Sequence, residues 1–69
     1  MNAVQKDLSS RKEAIQKELE NLFKSNMRIT DWDVPEADDK EVAKILLDMI
    51  QEELNTIRED VNAGKYDFY

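Results

Sequence analysis

The chain has 69 residues and a formal net charge of −6, with 16 Asp and Glu against 10 Lys and Arg. A chain of this length forms one domain and buries only about 60% of its unfolded surface, so a solitary fold is marginal. Cys and His are both absent, which excludes disulfides and the common zinc ligand sets. Self-association remains as the way to complete a core.

Hydropathy and charge narrow the class further. Apolar residues make up 41% of the chain and charged residues 38%, which is too apolar for a disordered protein. No apolar run approaches the roughly 20 residues of a membrane span, and the amino terminus lacks the apolar block of a signal peptide. We therefore expect a cytoplasmic protein that does not contact membranes. The acids concentrate after residue 28, and such a surface repels nucleic acid and favours a basic partner.

The first helical pattern occupies the amino-terminal part of the chain. Its apolar positions are Val4, Leu8, Ile15, Leu19, Leu22 and Phe23. Their spacing predicts one long helix over about residues 3–27. Ser10 and Glu13 have the spacing of a capping box, so the alternative is a short amino-terminal piece followed by a helix that begins at Ser10.

The second pattern is the most regular in the chain. Its apolar residues recur at intervals of four and three, as in a helix-packing seam. We call this set the seam; it consists of Ala43, Leu47, Ile50, Leu54, Ile57 and Val61. Asp38 and Glu41 fit the start of a helix, and Gly64 suits a left-handed C-cap. The sequence predicts a helix over about residues 38–63, with Leu47, Ile50, Leu54 and Ile57 in the core.

These elements predict an all-α fold in a single domain over residues 1–69. The acidic connection, about residues 28–37, permits an antiparallel hairpin of two long helices, and an aromatic tail follows at residues 64–69. A hairpin leaves part of both apolar faces open. We therefore expect two hairpins to pair into a homodimeric four-helix bundle.

The connection contains the segment TDWDVPEADDKE, residues 30–41, with six carboxylates and the only Trp. Trp32 either packs inward on Val42, Ile45 and Met49 or serves as an exposed docking anchor flanked by Asp31 and Asp33. We predict inward packing. A calcium loop counted from Asp31 lacks ligands at its fifth and twelfth positions and Gly at its sixth, so no metal is expected.

Two charged faces have alternative interpretations. Glu41, Asp48, Glu52 and Glu59 line one face of the second helix and form what we call the acidic row. The row is either a solvated face or an imitation of nucleic-acid phosphates. Lys6, Lys17, Lys24 and Arg28 line one face of the first helix. We interpret them as a solvated face with Glu13–Lys17 and Glu20–Lys24 pairs, the alternative being weak RNA binding.

The tail contains three aromatic residues in its last four positions, Tyr66, Phe68 and Tyr69. In an antiparallel hairpin the tail lies near the start of the first helix. Tyr66 and Phe68 then either cover Val4 and Leu8 or insert into a partner, and the pattern does not decide between these outcomes.

Catalysis has no support, because Cys, His and a Gly-rich phosphate loop are all missing. We expect no enzyme activity, no cofactor and no direct nucleic-acid binding. The predicted function is that of a small acidic regulator, adaptor or inhibitor that contacts itself and a protein with a basic surface. The alternatives are an acidic mimic that blocks a DNA-binding protein and, third, a weak RNA-binding hairpin. The candidate partner-binding residues are Asp31, Trp32, Asp33, Glu41, Asp48, Glu52, Glu59, Tyr66, Phe68 and Tyr69.

Overall fold

A computed structural model describes residues 2–69. They form three α-helices: α1 over Ala3–Ser10, α2 over Lys12–Asp33 and α3 over Asp39–Asn62. No strand occurs in these residues, so the all-α prediction is confirmed. Helix α2 contacts both of the others, whereas α1 and α3 do not contact each other in this part of the chain.

The predicted long first helix is interrupted at Arg11. Asn2 begins α1, because its side-chain oxygen accepts the Gln5 backbone N–H at 2.7 Å. The Ser10 hydroxyl donates to the Asp7 carbonyl oxygen at 2.6 Å, and a side chain bonded to its own turn competes with continuation of the helix. One helix over residues 3–27 is therefore wrong. The break lies close to the predicted alternative, although Ser10 ends α1 and does not cap α2.

Helix α2 extends to Asp33, six residues beyond its predicted end. Pro35 explains this boundary, since a residue that precedes Pro is pushed out of the helical region. Val34 accordingly has φ −132° and ψ 78°, and its N–H donates to the Thr30 carbonyl at 2.8 Å. Residues 28–33, predicted as connection, are helical, and the observed connection is 34–38.

Helix α3 begins and ends within one residue of its predicted bounds. Asp38 caps it by accepting the Lys40 backbone N–H at 3.4 Å. At the other end Gly64 has a φ of 87°, and the Lys65 N–H reaches the Asp60 carbonyl at 3.0 Å. The Gly64 N–H donates to the Val61 carbonyl at 3.1 Å. These two bonds form a Schellman motif, which confirms the predicted C-cap.

No closed core exists in residues 2–69, because none of them is buried. The half-buried apolar residues lie near the connection, namely Phe23 and Met27 on α2 and Val42, Ala43, Leu46 and Ile50 on α3. Of the predicted core, only Ile50 is half-buried; Leu47, Leu54 and Ile57 are 57%, 43% and 41% exposed. The core prediction is wrong for Leu47, Leu54 and Ile57 in the single chain, because α2 covers the side of α3 that carries Val42 and Leu46.

The molecule is elongated. Its Cα radius of gyration is 16.0 Å, with principal extents of 49, 27 and 17 Å. A compact domain of this length has a radius of gyration of about 11 Å. Among the residues described, no helix combines the length and the apolar composition that a bilayer crossing requires.

Candidate protein interaction surfaces

Large apolar side chains are open to solvent along all three helices. Ten of them have exposed fractions from 41% to 57%: Leu8, Ile15, Leu19, Leu22, Ile29, Ile45, Leu47, Leu54, Ile57 and Val61. Apolar positions repeated at helical spacing normally face a packed neighbour. Exposure of the whole set makes these helix faces candidate surfaces for contact with another polypeptide.

One groove runs between α2 and α3 on the side of the seam. It has a volume of about 250 Å³ and is lined by Gln16, Leu19, Glu20, Phe23, Leu47 and Ile50. We call it the seam groove. Leu54 and Val61 follow Leu47 at intervals of seven residues, so they stay on the same side of α3 and prolong the groove.

A second groove lies near the connection. It has a volume of about 160 Å³ and is lined by Thr30, Val42, Ile45, Leu46 and Met49. We call it the Met49 groove. The Trp32 ring was predicted to pack on Val42, Ile45 and Met49, but it does not line this groove. Ile45 and Met49 are consequently 53% and 63% exposed.

Trp32 is 85% exposed, so the prediction of inward packing is wrong. The cause is the extension of α2: Trp32 is a helical residue and not part of a flexible turn. At 100° per residue it lies about 140° from Leu19 and about 180° from Phe23 around the α2 axis. Its ring therefore leaves α2 on the side away from α3. The signal for this placement was Pro35, which permits a helix up to Asp33.

The surroundings of Trp32 are strongly negative. The carboxyl groups of Asp31 and Asp39 lie together, and a hydrogen bond between them raises the pKa of Asp31, with desolvation and like charge adding to the effect. Residues 30–33 form the last turn of α2, which contains two Asp and no basic residue. Its free carbonyls carry the negative end of the helix dipole. This end of the molecule attracts cationic groups.

The acidic row on α3 is exposed along its length. Within residues 2–69, none of its carboxylates lies within 4.0 Å of a basic nitrogen. The row faces away from the seam, since Glu52 lies about 160° from Leu54 around the helix axis at 100° per residue. Its carboxylates are therefore open to solvent or to a basic partner.

The basic face of α2 is partly neutralised. Lys24 Nζ lies 2.7 Å from Glu20 Oε1, as predicted. Lys17 lies 4.0 Å from the same oxygen, and the predicted Glu13–Lys17 pair is replaced by this contact. The hydrogen bond from Lys24, followed by the charges of Lys24 and Lys17, lowers the pKa of Glu20. Of the four predicted cations, Lys17 and Lys24 are thus engaged within α2, whereas Lys6 lies on α1.

The aromatic tail packs on itself. Tyr66 and Tyr69 meet edge to face, with ring centroids 5.7 Å apart and planes at 81°. Phe68 is fully exposed, and Val4 is 68% exposed. The alternative in which Phe68 covers the start of the first helix is therefore wrong, and the ring is free for a partner.

The predicted site residues fall in three separate places. Asp31, Trp32 and Asp33 end α2, the acidic row lies on α3, and the aromatic residues form the tail. In the described chain no three acidic side chains converge closely enough to hold a metal ion. The two apolar grooves, whose residues were predicted to be interior, are additional candidate surfaces.

Comparison with known proteins finds no matching family model, no matching curated protein and no matching solved structure.

Proposed function

We propose that this chain acts through protein–protein contacts, as a small acidic regulator, adaptor or inhibitor, and catalyses no reaction. The supporting observation is that none of residues 2–69 is buried, although apolar residues repeat along every helix. A helix gains most of its stability by packing its apolar face. The α2 and α3 surfaces therefore complete their packing against another polypeptide, with these two helices forming an antiparallel hairpin.

A second contact supports the adaptor role. Trp32 is 85% exposed on the side of α2 away from α3, so packing in the seam groove leaves it accessible. Exposed Trp residues are favoured binding anchors. Asp31 and Asp33 neighbour Trp32 in the chain, and their negative charge favours a partner with an apolar pocket rimmed by Lys or Arg.

Affinity capture from an extract of the native host tests this role. The wild-type chain should retain a basic protein, and Trp32→Ala should lose it, because a central Trp anchor dominates its interface. Phe68→Ala is the matched control, since it truncates another exposed aromatic outside the acidic segment. Equal retention by wild type and Trp32→Ala would contradict Trp32 as the anchor, and loss with Phe68→Ala alone would assign the contact to the tail.

The open acidic row supports an alternative function, that of a nucleic-acid mimic. Its four carboxylates remain without cations in the described chain, as a surface that replaces phosphates requires. A mimic's complex depends on exposed charges and should weaken steeply as salt rises. A complex anchored by Trp32 should lose little affinity in the same salt titration, because its main contact is apolar.

A further inference from the structure

We infer that the polypeptide covering the seam groove is a second copy of this chain, with α2 of each copy lying beside α3 of the other. The inference rests on the proposed function, since it names the partner for the open apolar surface. It makes the chain half of a twofold assembly whose core consists of four helices, α2 and α3 of each copy.

The spacing on α3 is the first argument. Leu47, Leu54 and Val61 recur at intervals of seven and stay on one side of the helix, the pattern of a surface packed against a helix running alongside. Helix α2 leaves them 57%, 43% and 52% exposed. A further helix is therefore missing from the seam side of α3.

The accessible area gives the second argument. A compact protein of 8.1 kDa exposes about 4,500 Å², whereas this chain exposes 6405 Å². Each chain therefore exposes about 1,900 Å² more than a compact protein of the same mass does. Two copies thus have roughly 3,800 Å² to bury together, within the range of 2,000–5,000 Å² found for obligate homodimers.

Charge placement gives the third argument and selects the chain itself as the partner. At 100° per residue, the three basic residues of α3, Lys40, Lys44 and Arg58, lie within about 60° of Leu47 on the outer edge of the seam. On α2, Glu13 lies about 80° from Phe23, closer to the groove than the basic face, whose Lys24 lies about 100° from Phe23. A twofold axis parallel to the helices sets Glu13 of one copy against the basic edge of the other. One chain carries both halves of the contact, as a self-complementary interface requires.

Sedimentation equilibrium of the full chain and its variants at micromolar concentrations tests the inference. The wild type should sediment at twice 8.1 kDa. Leu47→Glu should weaken the association by at least about 100-fold, because it removes an apolar contact and places a charge in the apolar part of the interface. Ile45→Glu is the matched control: Ile45 is 53% exposed against 57% for Leu47, but it lines the Met49 groove and should leave the dimer intact. Circular dichroism verifies that both variants remain helical.

The orientation is tested by exchanging charges. Arg58→Glu should weaken the dimer, and addition of Glu13→Arg should restore it. Failure to restore it would overturn the pairing of α2 with α3 of the other copy. Dissociation by Ile45→Glu and not by Leu47→Glu would overturn the assignment to the seam groove.

A monomeric wild type would overturn the inference, and its shape in solution would separate two cases. A monomer with a radius of gyration near 16.0 Å and a non-cooperative melt leaves the proposed function standing, with a different protein as the occupant. A monomer of about 11 Å that melts cooperatively has closed its own core, and it would overturn the proposed function as well.

Discussion

At the scale of single residues, Trp32 is the clearest departure from an ordinary small domain. A folded protein normally hides so large an apolar ring, yet here the ring projects from the last turn of α2 with 85% of its surface exposed. The position is fixed by the helix and not by a mobile loop. A partner therefore meets a Trp whose backbone is already ordered, which reduces the conformational entropy lost on binding.

The exposed ring predicts a specific spectroscopic and energetic behaviour. The free protein should show a red-shifted Trp emission that soluble quenchers reach freely. Trp32→Ala should change the free energy of unfolding by less than about 0.5 kcal/mol, as at other surface positions. Phe23→Ala is the control, because this half-buried ring packs between α2 and α3 and its loss should cost more. A blue-shifted, shielded Trp32 would contradict its position in the structure.

Asp31 predicts a pH dependence of stability. Its folded-state pKa is raised above 3.8, first by the hydrogen bond shared with Asp39, so the folded chain binds this proton more readily than the unfolded chain does. Stability therefore rises as the pH falls through the raised pKa, and the repulsion is fully present at neutral pH. Asp31→Asn should raise the melting temperature at neutral pH and have a smaller effect below the ordinary Asp pKa.

Thermal melts at the two pH values measure this difference. Glu36→Gln is the matched control, because it removes the same charge from the acidic segment without touching the Asp31–Asp39 contact. An equal gain from both variants would mean that net charge, and not the carboxyl pair, is responsible.

At the scale of helices, local signals determined the bounds of α3. Asp38 and Gly64 act through bonds to backbone groups within two to four residues, so their effect is readable without knowledge of the fold. The end of α2 was also encoded locally, by Pro35, but the acidic composition of residues 30–33 was interpreted as connection. The break at Arg11 was present only as an ambiguous Ser10–Glu13 spacing.

The exposure of Trp32 and of the seam residues could not be predicted from such local signals. Their exposure depends on which sides of α2 and α3 pack against each other. The apolar face of α3 is wide enough to permit several such packings. Val42 and Leu46 lie on one part of it and Leu47 and Leu54 on another. Periodicity identifies apolar faces but not the partner that covers them.

Gly64 predicts how the end of α3 responds to substitution. A Cβ at this position would stand 2.9 Å from Asp67 Oδ2, and the φ of +87° disfavours any L side chain. Gly64→Ala should therefore lower the free energy of unfolding by roughly 1 kcal/mol or more, as measured by chemical denaturation. A synthetic chain with D-alanine at position 64 is the control, since a D residue prefers positive φ. Equal losses from both would contradict this explanation, because the D-methyl group accepts a positive φ and does not occupy the L-Cβ position that stands 2.9 Å from Asp67 Oδ2.

At the scale of the whole molecule, the chain is a thin, two-sided structure. The seam groove and the Met49 groove are lined by different parts of α3, and Trp32 projects from α2 away from both. Separate surfaces allow self-association and the capture of a second protein to occur together. A net charge of −6 favours solubility and, in the proposed dimer, would oppose the addition of further copies.

The short connection between α2 and α3 favours folding of each chain before two chains associate. Only residues 34–38 separate α2 from α3, so most contacts within one chain join residues that are close in sequence. Helical proteins rich in such contacts form in microseconds to milliseconds, whereas the meeting of two chains is slower and depends on concentration. Newly made chains should therefore become helical at once and wait for a partner. Cellular abundance would then set the fraction of molecules that have completed their structure.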